Sequence, residues 1–175
     1  MIELSTIRDF ITIFGVIAGF SYYVLTVSNQ NKSRKAQLLL AISNDISSHE
    51  GWGRNVELSY MDWEDYDDFE KKYGSDNNPK AYVQRITMWH WMNNLGIILK
   101  SGLIDEQMTY DFLGSSIILS WDKWKPIIEE QRVRYMGENW MEHYEYLSNK
   151  MKAVQRERNI LWEPPKTGLK YISDK

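Results

Sequence analysis

Residues 10–27, close to the N-terminus, carry no charged side chain and are mostly apolar. A helix over these residues would be roughly 27 Å long, close to the ~30 Å hydrocarbon core of a bilayer. Its apolar residues occur on all sides, as a helix surrounded by lipid requires. The stretch therefore predicts one transmembrane helix over residues 10–30, preceded by a short extracytoplasmic N-terminus over residues 1–9.

Two other interpretations of this stretch remain open. A cleaved signal peptide would need a basic segment before the apolar one. Here Arg8 is offset by Glu3 and Asp9, and no clear Ala-x-Ala cleavage site follows. The second interpretation is a buried core helix of a soluble protein. An uncleaved membrane anchor agrees best with the even distribution of apolar residues around the helix.

The charged residues beside the stretch indicate its orientation. Lys32, Arg34 and Lys35 follow it, against Arg8 alone before it. The positive-inside rule then places the C-terminal domain in the cytoplasm, on a chain that crosses the membrane once. These three residues are also placed to bind anionic headgroups of the bilayer.

Gly15 and Gly19 form a Gly-x-x-x-Gly pair within the predicted anchor. This spacing permits two membrane helices to approach closely, so a homo-oligomer or packing against a partner helix is one interpretation. The alternative is that both glycines reflect only the high frequency of glycine in membrane helices.

The rest of the chain predicts an all-α fold, in which the anchor helix continues into a cytoplasmic multi-helix bundle. We assign residues 31–51 to a juxtamembrane basic collar and helix extension that ends near Ser48, where Gly51 and Gly53 break the helix. Residues 52–162 form the bundle domain, and residues 163–175 form an extended basic tail. The first bundle helix is predicted over residues 54–73.

Local signals mark most of the later helices. Pro79 begins a helix that runs to about Lys100, and its apolar residues cover most of its circumference, which predicts a central, buried helix. Gly102 caps its C-terminus, and Asp105 caps a short helix that ends at Gly114. Two further helices follow, separated at Gly137 and ending near residue 161.

Each of these last two helices carries a stripe of mostly apolar residues at a spacing of four and three. The stripes are Ile117, Trp121, Trp124, Ile128, Gln131 and Tyr135 in one helix and Trp140, Tyr144, Leu147, Met151 and Val154 in the other. Such stripes occur in coiled coils and in intramolecular bundles. In a chain of this length, we interpret them as contacts within one bundle. Because aromatic content is 14%, we expect an aromatic-rich core.

Catalytic motifs are scarce. The chain has no Cys, which excludes disulfides, thiol nucleophiles and Cys-ligated metals. None of its three His belongs to a Glu-x-x-His or His-Glu-x-x-His motif, and His90 is interpreted as a hydrogen-bonded core residue. There is no nucleophile elbow and no phosphate-binding loop. A net charge of −3 gives no support to nucleic-acid binding. We therefore predict no catalytic residue, no metal site and no cofactor.

Charge is unevenly distributed along the chain. Two clusters are candidate partner-binding surfaces, an acidic run at Asp62, Glu64, Asp65, Asp67 and Asp68 and a basic end at Lys150, Lys152, Arg156 and Arg158. Aromatic residues Trp63, Tyr66 and Phe69 are interleaved with the acidic run and should face inward. The simplest interpretation of the acidic run is a solvated face, with a basic partner or a bound cation as alternatives. The basic end would bind lipid, an acidic partner or the acidic run itself. Glu138, Glu142 and Glu145 are expected to form a surface ion-pair network with Lys150 and Lys152.

The order of several short motifs resembles an uncharacterised family of small membrane-anchored helical proteins, a domain of unknown function. The resemblance extends from Trp52 to Leu147 and rests on Trp63, Tyr66, Phe69, Tyr73-Gly74, Leu95-Gly96, Gly102-Leu103-Ile104-Asp105, Tyr110-Asp111, Trp121, Pro126-Ile127-Ile128-Glu129, Arg132 and Glu145-Tyr146-Leu147. Asn93 stands where the family pattern leads us to expect Glu. The resemblance implies an all-helical fold and no particular activity.

Three functions agree with these patterns. The first is a membrane-tethered interaction or accessory protein without catalytic activity of its own, which has a protein partner or forms a homo-oligomer. The second is an accessory subunit of a larger integral-membrane complex. The third, which the residues favour least, is a metal-dependent hydrolase that uses the acidic run.

Overall fold

The structure, a computed structural model, describes residues 4–160, with side chains described at residues 8–44 and 48–160. This part of the chain contains six α-helices and a π-helical turn, and no β-strand lies within it. The α-helices are α1 (Leu4–Ser47), α2 (His49–Tyr60), α3 (Tyr66–Tyr73), α4 (Pro79–Lys100), α5 (Glu106–Gln131) and α6 (Glu142–Glu157); the π-helical turn is Arg132–Met136. The predicted all-α fold is confirmed.

The chain divides into two compact units, Met1–Leu38 and Leu39–Lys175. In the first unit, the apolar side chains of α1 are exposed in the structure, for example Phe10 (68%), Phe14 (74%) and Ile17 (57%). Within Arg8–Asn44, α1 reaches a mean hydropathy of 1.9 over a window of which none is buried. The helix is therefore long and apolar enough to cross a membrane, and it continues through the basic collar as predicted.

The second unit begins with the last turns of α1, where Leu39 and Ser43 are buried one turn apart. The chain then breaks at Ser48, whose side chain caps α2 by accepting a hydrogen bond from Gly51 N. The prediction that Gly51 and Gly53 break the helix is wrong, because both lie within α2. A glycine inside a helix costs only about 1 kcal/mol relative to alanine, and the cap offsets this cost.

The single helix predicted over residues 54–73 is two helices. Helix α2 ends at Tyr60, and α3 starts only at Tyr66. Asp65 caps α3 by accepting from Asp68 N at 2.8 Å, so the carboxylate competes with helix continuation. The connecting residues bring Trp63 against Trp124, with ring centroids 5.1 Å apart.

Helix α4 starts at Pro79, as predicted, behind the capping side chain of Asn78. It packs against α2, α3 and α6, but it is not buried on all sides. An exposed stripe runs along it at Val83, Thr87, His90, Asn94 and Ile97. The prediction of a buried helix is therefore wrong for this face of α4, and so is the predicted core position of His90.

Gly102 ends α4 with a positive φ of 71°, while Gly102 N and Leu103 N donate to the carbonyls of Leu99 and Ile98. This is the predicted left-handed cap. Asp105 then caps α5 by accepting from Met108 N at 3.0 Å. The predicted stop at Gly114 is wrong, because α5 continues to Gln131. Gly114 instead accommodates the Tyr110 ring, which a Cβ would approach to 2.4 Å.

The two stripes pack inside the second unit, as predicted. Helix α6 contacts both α4 and α5, and buried stripe residues include Ile117, Trp121, Tyr144, Leu147 and Met151. Tyr135, the last residue of the α5 stripe, departs from the pattern and is 68% exposed. An aromatic cluster centred on buried Trp124 confirms the expected core, with Trp63, Phe69 and Trp89 around it.

The start of α6 depends on a side chain from another helix. Gly137 (φ 81°) ends the π-helical turn, as predicted, and Met141 adopts a left-handed conformation before α6. No side chain of its own segment caps α6. Instead, Asn93 Oδ1 on α4 accepts from His143 N at 3.1 Å and from Tyr144 N at 3.2 Å. The predicted end of this helix near residue 161 is wrong, because α6 ends at Glu157 and Asn159 adopts a left-handed φ of 51°. The tail 163–175 lies outside the described residues.

Candidate functional site

An open groove lies between α2 and α5, with α4 as its floor. Its volume is about 260 Å³. Buried Met92, Ile117 and Trp124 line it, and Trp52 and Phe112 line it while remaining exposed. The other lining residues are Asn55, Val56, Leu58, Ser59, Met88, Leu113, Ser116, Leu119, Ser120 and Lys123. We call this cavity the α2–α5 groove.

Lys123 is the only charged residue among those that line the groove. Its Nζ donates to the backbone carbonyls of Met61 at 2.5 Å and Ser59 at 3.2 Å, at the C-terminal end of α2. It also lies 4.8 Å from the centre of the Trp63 ring. Burial lowers the pKa of Lys123 to about 8, with the nearby charge of Asp62 opposing the shift.

The groove is elongated and has distinct ends. Lys123 and Ser59 mark one end through their hydrogen bond. Phe112, the first lining residue of α5, lies roughly 16 Å from Lys123 at the helical rise of 1.5 Å per residue. The groove therefore places a cation at one end of a mainly apolar channel. Such a site suits a long apolar molecule with an anionic or strongly accepting head.

A second unusual cation, Arg85, lies fully buried within the core. Its guanidinium carbon lies 4.4 Å from the ring centre of Phe69, 5.0 Å from Trp89 and 5.3 Å from Tyr82. No residue of the described chain accepts a hydrogen bond from its three nitrogen atoms. Burial lowers the pKa of Arg85 to about 10, and the Glu70 charge opposes this. Because its side chain is fully buried, Arg85 is part of the core.

The acidic run is used mainly for local structure. Asp68 Oδ2 accepts from Glu64 N and from Lys72, whose hydrogen bond is the main reason that the pKa of Asp68 is lowered. Asp65 caps α3, and Asp67 pairs with Arg134 on the π-helical turn at 2.8 Å. Asp62 and Glu64 are exposed. As predicted, Tyr66 and Phe69 turn inward. Burial, followed by the hydrogen bond to Glu70, raises the pKa of Tyr66 to about 12.

The basic end pairs with α5. Lys150 bonds Glu106 at 2.8 Å, Lys152 bonds Asp122 at 2.5 Å, and Arg158 pairs with Asp111. Arg156 donates to the carbonyl of Lys152. These contacts hold α6 against α5, rather than pairing α6 with the acidic run.

The predicted network of Lys150 and Lys152 with neighbouring glutamates is therefore wrong. Glu145 pairs instead with Arg132 at 2.8 Å, and Glu142 contacts His143 at 3.4 Å. Glu138 is exposed. Ion pairs between helices replace those expected along one helix, because α6 lies beside α5 over its whole length.

The residues predicted for the membrane segment lie in the first unit. A Cβ at Gly15 or Gly19 would meet no atom within 4 Å, so both glycines face open space in this single chain. Lys32 and Arg34 are exposed and Lys35 is half-exposed. Among the described residues, no group of three or more His, Asp and Glu is arranged to hold a metal ion.

The two cations with unusual environments, Lys123 and Arg85, were not predicted from the sequence. The position of each in the sequence nevertheless indicates an unusual environment. Lys123 lies between Trp121 and Trp124 on the most aromatic part of α5, and Arg85 falls midway between Ala81 and Trp89 on the buried face of α4. A charged residue at a position where helical spacing predicts a buried one is that signal.

Comparison with known proteins gives a family and no activity. No curated protein and no solved structure matches the chain. A family described as "Domain of unknown function (DUF4760)" matches residues 10–151, which include all of α2 to α5 and most of α1 and α6. The match covers the motifs from Trp52 to Leu147 as well as the apolar N-terminal helix, and confirms the predicted resemblance. The chain belongs to this family of domains of unknown function, DUF4760.

Proposed function

We propose that the protein is a membrane-tethered interaction or accessory protein without catalytic activity of its own. The observation that carries the proposal is the contrast between the two units. Apolar side chains of α1 are exposed over its whole spanning segment, whereas those of the second unit form a closed aromatic core. Exposed apolar surface of this extent is stable in lipid and costly in water.

In this proposal, residues 1–9 are extracytoplasmic, residues 10–30 cross the bilayer, and the bundle lies in the cytoplasm. The basic collar Lys32, Arg34 and Lys35 supports this orientation. Exposed Lys32 and Arg34 are available to anionic headgroups. The boundaries at residues 31–51, 52–162 and 163–175 are part of the same proposal.

The orientation is tested with single-cysteine variants, since the natural chain has no Cys. Ser5→Cys reports on the N-terminus, and Ser75→Cys reports on an exposed loop of the second unit. A membrane-impermeant maleimide applied to intact cells should label Ser5→Cys alone. Labelling of Ser75→Cys without permeabilisation, or release of the protein from membranes by alkaline carbonate, contradicts the proposal.

The interaction role is tested by cross-linking in native membranes, followed by affinity purification and mass spectrometry. A specific partner or a homo-oligomer is the expected result. Changing Gly15 and Gly19 together to Leu should abolish it if the membrane helix makes the contact, because their open faces would then be filled. A monomer after gentle extraction, or turnover of a metabolite, nucleotide or lipid by the pure protein, contradicts this role.

A further inference from the structure

We propose that the α2–α5 groove binds a single-chain anionic amphiphile of the fatty-acid class, with its carboxylate at Lys123 and its acyl chain towards Phe112. The proposal goes beyond the membrane-tether function and concerns the second unit alone. The argument has three parts: the shape of the groove, its chemistry and the position of its only charge.

The size and shape of the groove favour a long ligand. At about 260 Å³, it exceeds the ~150 Å³ apolar cavity that is known to hold a benzene molecule. It extends along roughly three turns of α5, from Phe112 to Lys123, and is open on one side. A flexible chain can follow this length, whereas a compact polar metabolite would leave much of the wall uncovered.

The lining favours a hydrocarbon chain. Met88 and Met92 supply adaptable thioether side chains along the floor, which suit irregular apolar ligands. Trp52, Val56 and Phe112 remain 61%, 45% and 47% exposed at the rim, so covering them with a ligand would remove apolar surface from water. Besides Lys123, the polar side chains of the lining are the amide of Asn55 and the hydroxyl groups of Ser59, Ser116 and Ser120.

The charge favours an anionic head at one end. Lys123 Nζ lies beside the C-terminal turn of α2, among the rings of Trp63 and Trp124 at 4.8 Å and 5.4 Å. A carboxylate that reaches this ammonium forms a charge-assisted hydrogen bond in partly desolvated surroundings, where it is stronger than in water. No acidic residue is among those that line the groove, and Asp62 is the acid outside it whose charge acts on Lys123.

The test uses the full chain in phosphatidylcholine nanodiscs and a photoreactive analogue of palmitate that carries a diazirine in its chain. Its methyl ester is the neutral counterpart. After irradiation, labelled residues are mapped by mass spectrometry. We expect palmitate-competed labelling of the α2 and α5 residues that line the groove, with the acid labelling several-fold more strongly than the ester.

Two pairs of variants make the test specific. Ser116→Trp places a ring in the groove from an exposed position and should reduce the labelling about tenfold or more, whereas Ser115→Trp, on the adjacent exposed residue outside the groove, should not. Lys123→Met should remove the preference for the acid over the ester. Lys125→Met, at an exposed lysine that pairs with Glu129, should leave it unchanged.

Three results would overturn the proposal. They are labelling confined to residues 10–27, equal labelling by acid and ester in the natural chain, and groove labelling that survives Ser116→Trp. If Ser116→Trp unfolds the bundle, the Lys123 pair decides alone. Failure of the membrane anchor is detected separately by carbonate extraction.

Discussion

The carbonyl oxygen of His143 lies so close to Gly96 that a Cβ on this glycine would come within 2.0 Å of it. This relationship joins α4 to the first turn of α6. It explains the Leu95-Gly96 pair of the family pattern in physical terms, because only a residue without a side chain lets the two helix backbones approach this closely. Two predictions follow from the contact between these helices.

Gly96→Ala should destabilise the protein by about 2–3 kcal/mol, because the added methyl group meets backbone rather than a flexible side chain. The matched control is Gly53→Ala in α2, where a Cβ meets nothing within 4 Å. That change should stabilise by about 0.5–1 kcal/mol through the better helix propensity of alanine. Thermal unfolding followed by tryptophan fluorescence measures both. Equal effects of the two substitutions would show that the α4–α6 contact is not as close as described.

Asn93 also stabilises the contact between α4 and α6, because its Oδ1 accepts hydrogen bonds from both His143 N and Tyr144 N. Asn93→Ala should cost about 1 kcal/mol, as removal of a helix cap does. Asn93→Asp keeps the acceptor and adds a negative charge near the positive end of α6, so it should be neutral or slightly stabilising. Asn94→Ala, one residue along and exposed, is the control. A loss of stability in Asn93→Asp equal to that in Asn93→Ala would exclude the capping role.

Asn93 and Gly96 also show what the sequence could and could not predict. The start of α4 at Pro79 and the caps at Gly102 and Asp105 depend on neighbours in the chain, and the predictions there are confirmed. The cap on α6 joins residues fifty positions apart, which no local pattern reports. In the sequence, Asn93 therefore stands out only as a departure from the family pattern.

The incorrect predictions at two glycines have a common physical origin. At Gly114 and at Gly51, the local cost of a helical glycine is small compared with the packing of the helix that contains it. His90 was assigned to the core because tryptophans flank it, but its neighbours Trp89 and Trp91 point to different sides of α4. The α2–α5 groove could not be predicted at all, because its walls come from three helices that only the tertiary structure brings together.

Arg85 tests how a buried charge without hydrogen bonds is tolerated. Aromatic rings at 4.4–5.3 Å offset part of the desolvation cost, but Met has similar length and no charge to bury. Arg85→Met should therefore leave stability unchanged or raise it by up to about 2 kcal/mol. Arg85→Lys should lower stability by about 2 kcal/mol, because an ammonium is more strongly hydrated than a guanidinium. Chemical denaturation measures both variants. A loss above about 2 kcal/mol in Arg85→Met would show that the ring contacts outweigh desolvation.

Lys123 gives stability a characteristic dependence on pH. Burial lowers its pKa from 10.5 in the unfolded chain to about 8 in the folded one. Between these two values the unfolded state holds a proton that the folded state has released. The free energy of unfolding should therefore rise as pH increases through this window. Below about pH 7, the contribution of Lys123 to it should be constant. Asp62 is the acidic group whose charge opposes the shift.

We expect Lys123→Met to remove this rise, which reduces the difference in unfolding free energy between pH 7 and pH 9.5 by about 1 kcal/mol. Denaturation at several pH values in this interval measures the effect. It avoids the range above pH 10, where the raised pKa values of buried Tyr66 and Tyr144 add a pH dependence of their own to the stability. Lys125→Met, which removes an exposed lysine on the same helix, should leave the slope as it is in the natural chain. If both variants retain the rise, Lys123 is not the titrating group, and its ammonium is better hydrated than its position in the groove indicates.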